Sequence, residues 1–325
     1  MTFFKLTRPK QLVVLFLLVV FVFLLVSCGG LSITEEGLVS GKRMKGSVVV
    51  PAEIKGKTVK GIANRGFCAE YNNSAITSIE LPESIRTIGY NAFEGCTNLE
   101  RIVIPEGVEI IERCAFRGCT SLVEVVLPQT LKKIDSSAFG NCTSLKEIEI
   151  PNGVQELDGF DGCSSLVKVV IPEGVKKIEN NAFEDCTSLV EISLPKSVSE
   201  IGDYAFEDCK NLISITISNV YCEIGNKVFD YCSKLKYIYY SGTKYRWDYR
   251  DKNGNLFGSS GVNPSGDVIV VAEDGDIRYS TKSKQSYDYT IPLQSCEHDW
   301  RPYYGNGAGT NLWKCWKCGA VANFN

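Results

Sequence analysis

Two apolar patterns organise this chain. The first is a block: residues 11–26 read QLVVLFLLVVFVFLLV and are apolar after Gln11. The block is shorter than the ~20 residues a spanning helix needs. It suits the h-region of a secretion signal, with Lys5, Arg8 and Lys10 as the positive n-region. The second pattern is periodic. Pro82, Pro105, Pro128, Pro151, Pro172 and Pro195 recur at intervals of 23, 23, 23, 21 and 23 residues. Phe93, Phe116, Phe139, Phe160, Phe183, Phe206 and Phe229 keep this step, and so do Cys96, Cys119, Cys142, Cys163, Cys186, Cys209 and Cys232, each three residues after its Phe.

One unit, LPESIRTIGYNAFEGCTNLERIVI, spans 81–104. Its end alternates, which predicts a short strand with Ile102 and Ile104 inward and Arg101 and Val103 outward. Pro105 stops the strand because proline cannot donate to a ladder. Ile85 and Ile88 supply a second inward pair. Ala92-Phe93 followed by Gly95-Cys96 reads as a tight helical turn filled by an aromatic ring. No unit can bury its apolar face alone, so the units must stack. Eight rungs at ~4.8 Å predict a parallel sheet roughly 34 Å long. The fourth unit lacks two residues between Leu157 and Phe160. An irregular first unit, from Pro51 to Leu81, carries a three-residue insertion near Tyr71-Asn72-Asn73, as expected of a capping repeat.

The recurring C-T-S-L-x-x-I-x-I/L-P-x-x-V-x-x-I-x-x-x-A-F-x-x-C positions, over about 46–242, resemble the BspA-type, or treponemal, subfamily of leucine-rich repeats. The resemblance implies a β-rich α/β solenoid, with short parallel strands stacked on a concave side and tight helical turns between them. It also implies adhesins and host-interaction proteins.

The repeat cysteines read as a stack of buried thiols, since Cys packs as a small hydrophobe. A disulfide ladder fits less well, because neighbouring rungs point their cysteines the same way. Cys68, Cys114 and Cys222 break phase, and a pairing of Cys68 stays open.

Composition narrows the function. The chain has 35 bases, 38 acids and one histidine. The acidic balance argues against nucleic acid, which needs a basic face. A single His removes Ser-His-Asp and Cys-His chemistry unless His298 carries it. No enzyme is expected.

Leu25-Val26-Ser27-Cys28 ends the apolar block and resembles the bacterial lipobox. That resemblance implies cleavage before Cys28 and acylation of its thiol. Several acyl chains make a stable anchor, each buried CH₂ contributing ~0.8 kcal/mol. The alternative is an uncleaved membrane helix. Both place the rest of the chain outside the cytoplasmic membrane. Removal of Lys5, Arg8 and Lys10 leaves 32 bases against 38 acids, a charge that keeps the chain soluble.

Outward strand residues predict two columns on the concave face. One runs Ser78, Arg101, Glu124, Glu147, Lys168, Glu191, Ser214, Tyr237, the other Glu80, Val103, Val126, Glu149, Val170, Ser193, Thr216, Tyr239. The mixture suits a protein or glycan partner, with Arg101, Glu124, Glu147, Glu149, Lys168, Glu191, Tyr237 and Tyr239 as contact residues. Glu147 and Glu149 lie two apart on one strand, ~6.6 Å between Cα atoms. An open sheet lacks the pocket a glycosidase pair requires.

The tail differs. Residues 250–266 read as a Gly-rich loop, 267–280 as a hairpin turning at Asp274-Gly275 that caps the solenoid, and 281–292 as a linker. Cys296-x-His298 is followed by Cys315-x-x-Cys318-Gly319. These four residues have the types and spacing of a structural zinc site, in a tail that resembles a zinc ribbon. An extracytoplasmic disulfide is the rival.

The expected organisation is a signal over 1–28, a tether over 29–45, the solenoid over 46–242, a cap and linker over 243–292, and a metal-binding tail over 293–325. The expected protein is a monomeric lipoprotein on the bacterial surface, anchored to the membrane through its lipid, that binds an extracellular protein or glycan. An envelope assembly role is the alternative.

Overall fold

Each repeat forms one rung of a β-solenoid because its two apolar sets face each other. In the unit 82–104, Ile85 and Ile88 point inward from one side, and Leu99, Ile102 and Ile104 from the other, all buried. The computed structural model describes residues 30–244, 247, 256–257, 268–279, 300–302, 312–315 and 321–323. Cys28 and the apolar block lie outside the described residues, as do Cys296, His298 and Cys318. Among the described residues, no helix is long and apolar enough to cross a membrane.

Two sheets enclose the core. The narrow sheet has ten strands, mostly of two residues, from Leu38–Gly41 through Gly61–Ile62 and Thr87–Ile88 to Glu223–Ile224, with Leu31–Ile33 outermost. Nine of these strands run parallel, one more than the eight rungs expected. In register, Ile62, Ile88, Ile111, Ile134, Leu157, Ile178 and Ile201 stack one above the next. The broad sheet carries the longer strands in three ladders. One joins Gly46–Val49, Ile76–Glu80, Arg101–Val103 and Glu124–Val126. A second pairs Glu147–Glu149 with Lys168–Val170. The third runs from Glu191–Leu194 through Ser214–Ile217 and Tyr237–Tyr240 to Val268–Ala272 and Gly275–Tyr279.

The expected helical turns are not helices, so the fold is a β-solenoid rather than a β-rich α/β one. Among the described residues, helix is confined to a 3₁₀ turn at Ala69–Tyr71 and a bond from Trp247 N–H to the Thr243 carbonyl. The reason is local. Asn91 and Gly95 flank Phe93 with φ of 55° and 73°, in the left-handed region. This turns alternate N–H groups outward along the stack. Ala92, Glu94 and Cys96 donate within their own turn, while Phe93 and Gly95 donate to Ala115 and Arg117 of the next rung. A helix would keep all of these bonds inside one segment.

The phenylalanines stack face to face from Phe67 to Phe229, with ring centroids 5.1 to 6.1 Å apart. Each repeat thiol donates to the carbonyl of the preceding rung's phenylalanine, as Cys96 does to Phe67 at 3.0 Å and Cys142 to Phe116 at 3.3 Å. The seven repeat cysteines are buried thiols, and Cys68, Cys114 and Cys222 are buried too.

The ends are closed by reversals. At the start, the stretch read as a tether supplies two strands, Leu31–Ile33 and Leu38–Gly41, paired antiparallel. Leu38–Gly41 then pairs in parallel with Gly61–Ile62. The insertion forms the 3₁₀ turn and ends in Asn72 at φ 61°. It delivers a fully buried Asn73, whose amide donates to the Gly41 carbonyl and accepts from the Met44 N–H, both at 2.7 Å. At the far end, Val268–Ala272 pairs with Tyr237–Tyr240, and Gly275–Tyr279 returns antiparallel. Ala272 faces Gly275, so the turn residues are Glu273-Asp274, one position earlier than expected. Within the stretch read as a loop, Leu256-Phe257 continues the repeat. The Leu256 carbonyl accepts from Phe229 N–H, and the Phe257 ring lies 6.1 Å from that of Phe229. One sheet at each end thus finishes on a strand of reversed direction, the narrow sheet at Leu31–Ile33 and the broad sheet at Gly275–Tyr279.

In the tail, Trp300–Pro302, Leu312–Cys315 and Val321–Asn323 form a three-stranded antiparallel sheet. Cys315 closes the middle strand.

Candidate binding face

The two sheets differ in what they show to solvent. Over the middle rungs of the narrow sheet, charges pair within and across rungs. Lys132 pairs with Glu109 at 2.8 Å, and Lys133 with Asp135 and Glu156 at 3.7 and 3.9 Å. Lys177 pairs with Glu179 and Glu200 at 3.0 and 3.2 Å, and those carboxylates hold its ammonium above the usual lysine range.

The broad sheet is different. Of its outward residues, Arg101 meets Glu124 at 3.2 Å. Glu147 lies opposite Lys168 in register. Yet Lys146, Glu147, Glu149, Lys168 and Glu191 form no ion pair with a described residue. At the last rung Tyr237 and Tyr239 stack at 5.9 Å, with the Lys236 ammonium 5.2 Å from the Tyr237 ring. The eight contact residues expected from sequence therefore share one face, and all but the half-buried Tyr237 are exposed.

A third column was not foreseen. Val123, Val167, Val190 and Ile213 are 42–52% exposed. Each follows the buried Leu of its unit, as Val123 follows Leu122, and precedes the outward charged or Ser position. With Val103, Val126 and Val170, these aliphatics flank the charged column on both sides. Exposed large aliphatic groups are thus concentrated on this face. The sequence signal was an apolar residue immediately after the repeat leucine, in four units.

The turns after the core phenylalanines are acidic over the later rungs. Asp161, Glu184, Glu207 and Asp230 each follow a core phenylalanine, with Asp185 and Asp208 next to two of them. Burial, then Glu184, Asp230 and Asp208, push the Glu207 carboxyl upward. At the two-residue deletion, Asp158 is pushed up to about 6 by burial and by Asp161, Glu179 and Asp135. Among the described residues, no group of three or more His, Cys, Asp or Glu is arranged to hold a metal ion. Of the four expected zinc ligands, only the backbone of Cys315 falls within the described residues.

The model of the BspA type leucine-rich repeat region matches residues 67–159 and 158–246, in six copies. Solved structures are similar too. A leucine-rich repeat protein from Bacteroides ovatus is 28% identical over 66% of this chain and 70% of its own, with a TM-score of 0.49. The T. pallidum leucine-rich repeat protein is 28% identical over 70% and 96%, with a TM-score of 0.47. A leucine-rich cell surface protein from Faecalibacterium prausnitzii is 24% identical over 65% and 75%, with a TM-score of 0.46. No curated protein matches the chain.

Proposed function

Because this chain belongs to the BspA type leucine-rich repeat family, we propose that it is a surface protein that holds another protein against its broad sheet, without catalysis. The observation that carries this reading is the contrast between the sheets. Over the middle rungs of the narrow sheet, from Glu109 to Glu200, outward charges pair with each other, while those around Glu147, Lys168 and Glu191 do not and lie between exposed aliphatic columns. A face that leaves its charges unspent and its valines in water has free energy to gain from a partner. Cys28, acylated, would tether the solenoid to the outer side of a bacterial membrane. The partner is then a protein of the host or of a neighbouring cell, and the activity is adhesion. Cys296, His298, Cys315 and Cys318 would hold a structural zinc that staples the tail.

The test is a pull-down from host fluid and cell lysate. The bait is the chain from Cys28 onward, attached through its N-terminus. The control carries Glu124→Lys, Glu147→Lys and Tyr237→Ala. A partner held by the first and lost by the second is expected. Identical captures by both would move the function off this face.

A further inference from the structure

The rung that carries Glu147 interrupts both aliphatic columns. On either side of it stand Val123 and Val126, then Val167 and Val170, while this rung itself shows Lys146, Glu147 and Glu149. The face is thus a charged island in a valine strip. Its balance is acidic by one charge: from the rung of Arg101 to that of Tyr237, Glu100, Glu124, Glu147, Glu149 and Glu191 stand against Arg101, Lys146, Lys168 and Lys236, all exposed. Arg101 pairs with Glu124 and Lys236 lies over Tyr237 at the far end, so the middle of the face presents Glu147, Glu149 and Glu191 against Lys146 and Lys168. The turns of the later rungs add half-buried carboxylates at Asp161, Glu184 and Glu207, while Asp208 is paired with Lys210.

We propose that this face takes a cationic, aliphatic-rich polypeptide segment, laid along the solenoid from the rung of Arg101 to that of Tyr237. The proposal rests on the protein-binding reading above and names the partner's chemistry. Aliphatic side chains of the segment cover the valines, which are stiff at χ1 and lose little entropy when covered. A Lys or Arg of the segment sits over Glu147 and Glu149. The face is one strand wide and seven rungs long, a shape that matches an extended segment laid along it. A second copy of this chain would also bring the same excess of carboxylates against it.

The experiment is selection of a displayed library of random twelve-residue peptides on the full chain. Two variants are counter-baits: Val167→Asp with Val190→Asp, and Glu147→Lys with Glu149→Lys. All substituted positions are exposed, and circular dichroism checks that the fold is kept. If the aspartate pair disturbs it, Val167→Ser with Val190→Ser replaces it. The expected result is enrichment of Lys and Arg beside Val, Ile and Leu relative to the input library. Recovered peptides should bind each variant at least tenfold more weakly, and bind the wild type more weakly as salt rises. Peptides that need the valines but show no basic excess would overturn the cationic segment and leave the binding face standing. Peptides that ignore both variants, or no enrichment at all, would overturn both.

Discussion

The thiol of Cys119 donates to the carbonyl of Phe93, 3.3 Å away on the preceding rung. That carbonyl also accepts from the N–H of Cys96, three residues along its own turn. A carbonyl oxygen has two lone pairs, and from Phe93 to Phe206 both are used in this way. Cysteine is small enough for the interior and still carries a donor, which accounts for its recurrence where Ala or Val would also pack.

Burial makes these thiols resist ionisation. Cys96 and Cys163 are pushed up to about 12, and Cys119, Cys142, Cys186 and Cys232 well above their ordinary value, desolvation being the main cause in each. A raised folded-state value gives stability that is complete below the unfolded thiol's value of 9.0 and is lost as pH climbs toward 12. Each such thiol costs about 1.4 kcal/mol per pH unit in that window. Urea midpoints should therefore be flat from pH 7 to 8 and fall steeply above 9. In native protein at pH 8, a thiol reagent should leave the seven repeat cysteines unmodified until denaturant is added.

Asp158 behaves in the opposite direction. Its carboxyl is pushed above the ordinary aspartate range, so ionisation disfavours the fold. Stability should rise as pH falls from about 6 toward 4. Asp158→Asn should remove this trend and stabilise the protein at pH 7 by about 1 kcal/mol, discounted for partial exposure. Denaturant midpoints across pH for both proteins check it.

Asn73 joins the capping turn to the first strands through Gly41 and Met44. Asn73→Ala leaves a buried N–H and a buried carbonyl without partners, at a cost of about 2–4 kcal/mol. The loss should be local in so one-dimensional a fold. Hydrogen exchange is expected to speed up over 31–50 while rungs beyond Phe139 keep their protection.

The tail should bind one zinc per chain if its four ligands act together. Metal analysis of the full chain, with thiol counting, checks this. Oxidised Cys315 and Cys318 without stoichiometric zinc would assign the tail to a disulfide.

The rungs were readable because the 23-residue step repeats Ile, Phe and Cys in fixed phase, and burial at those positions is set by hydrophobicity alone. The turn was misread for a physical reason. Phe93 and Cys96 stand three apart, which a helix also allows, and the left-handed Asn91 and Gly95 were the contrary signal. The opening strands were missed because Leu31–Gly41 carries no Phe or Cys of the repeat. On the broad sheet, period-two alternation finds Arg101 and Val103 but not Val123 or Val190. The chain runs two residues between the inward Leu122 and the inward-facing Val125, so both Val123 and Glu124 reach solvent. Nothing in the alternation separates paired Lys177 from Lys168, whose difference lies in neighbours brought by stacking.

The most direct measurement is site-specific photo-cross-linking from the two sheets. A photoreactive residue placed at Val190 of the broad sheet, and separately at Lys132 of the narrow sheet, is illuminated with the intact chain in host fluid. A covalent protein adduct from position 190 and none from position 132 is predicted. Adducts from 132 alone, or equal adducts from both, would contradict the assignment of the broad sheet as the binding face.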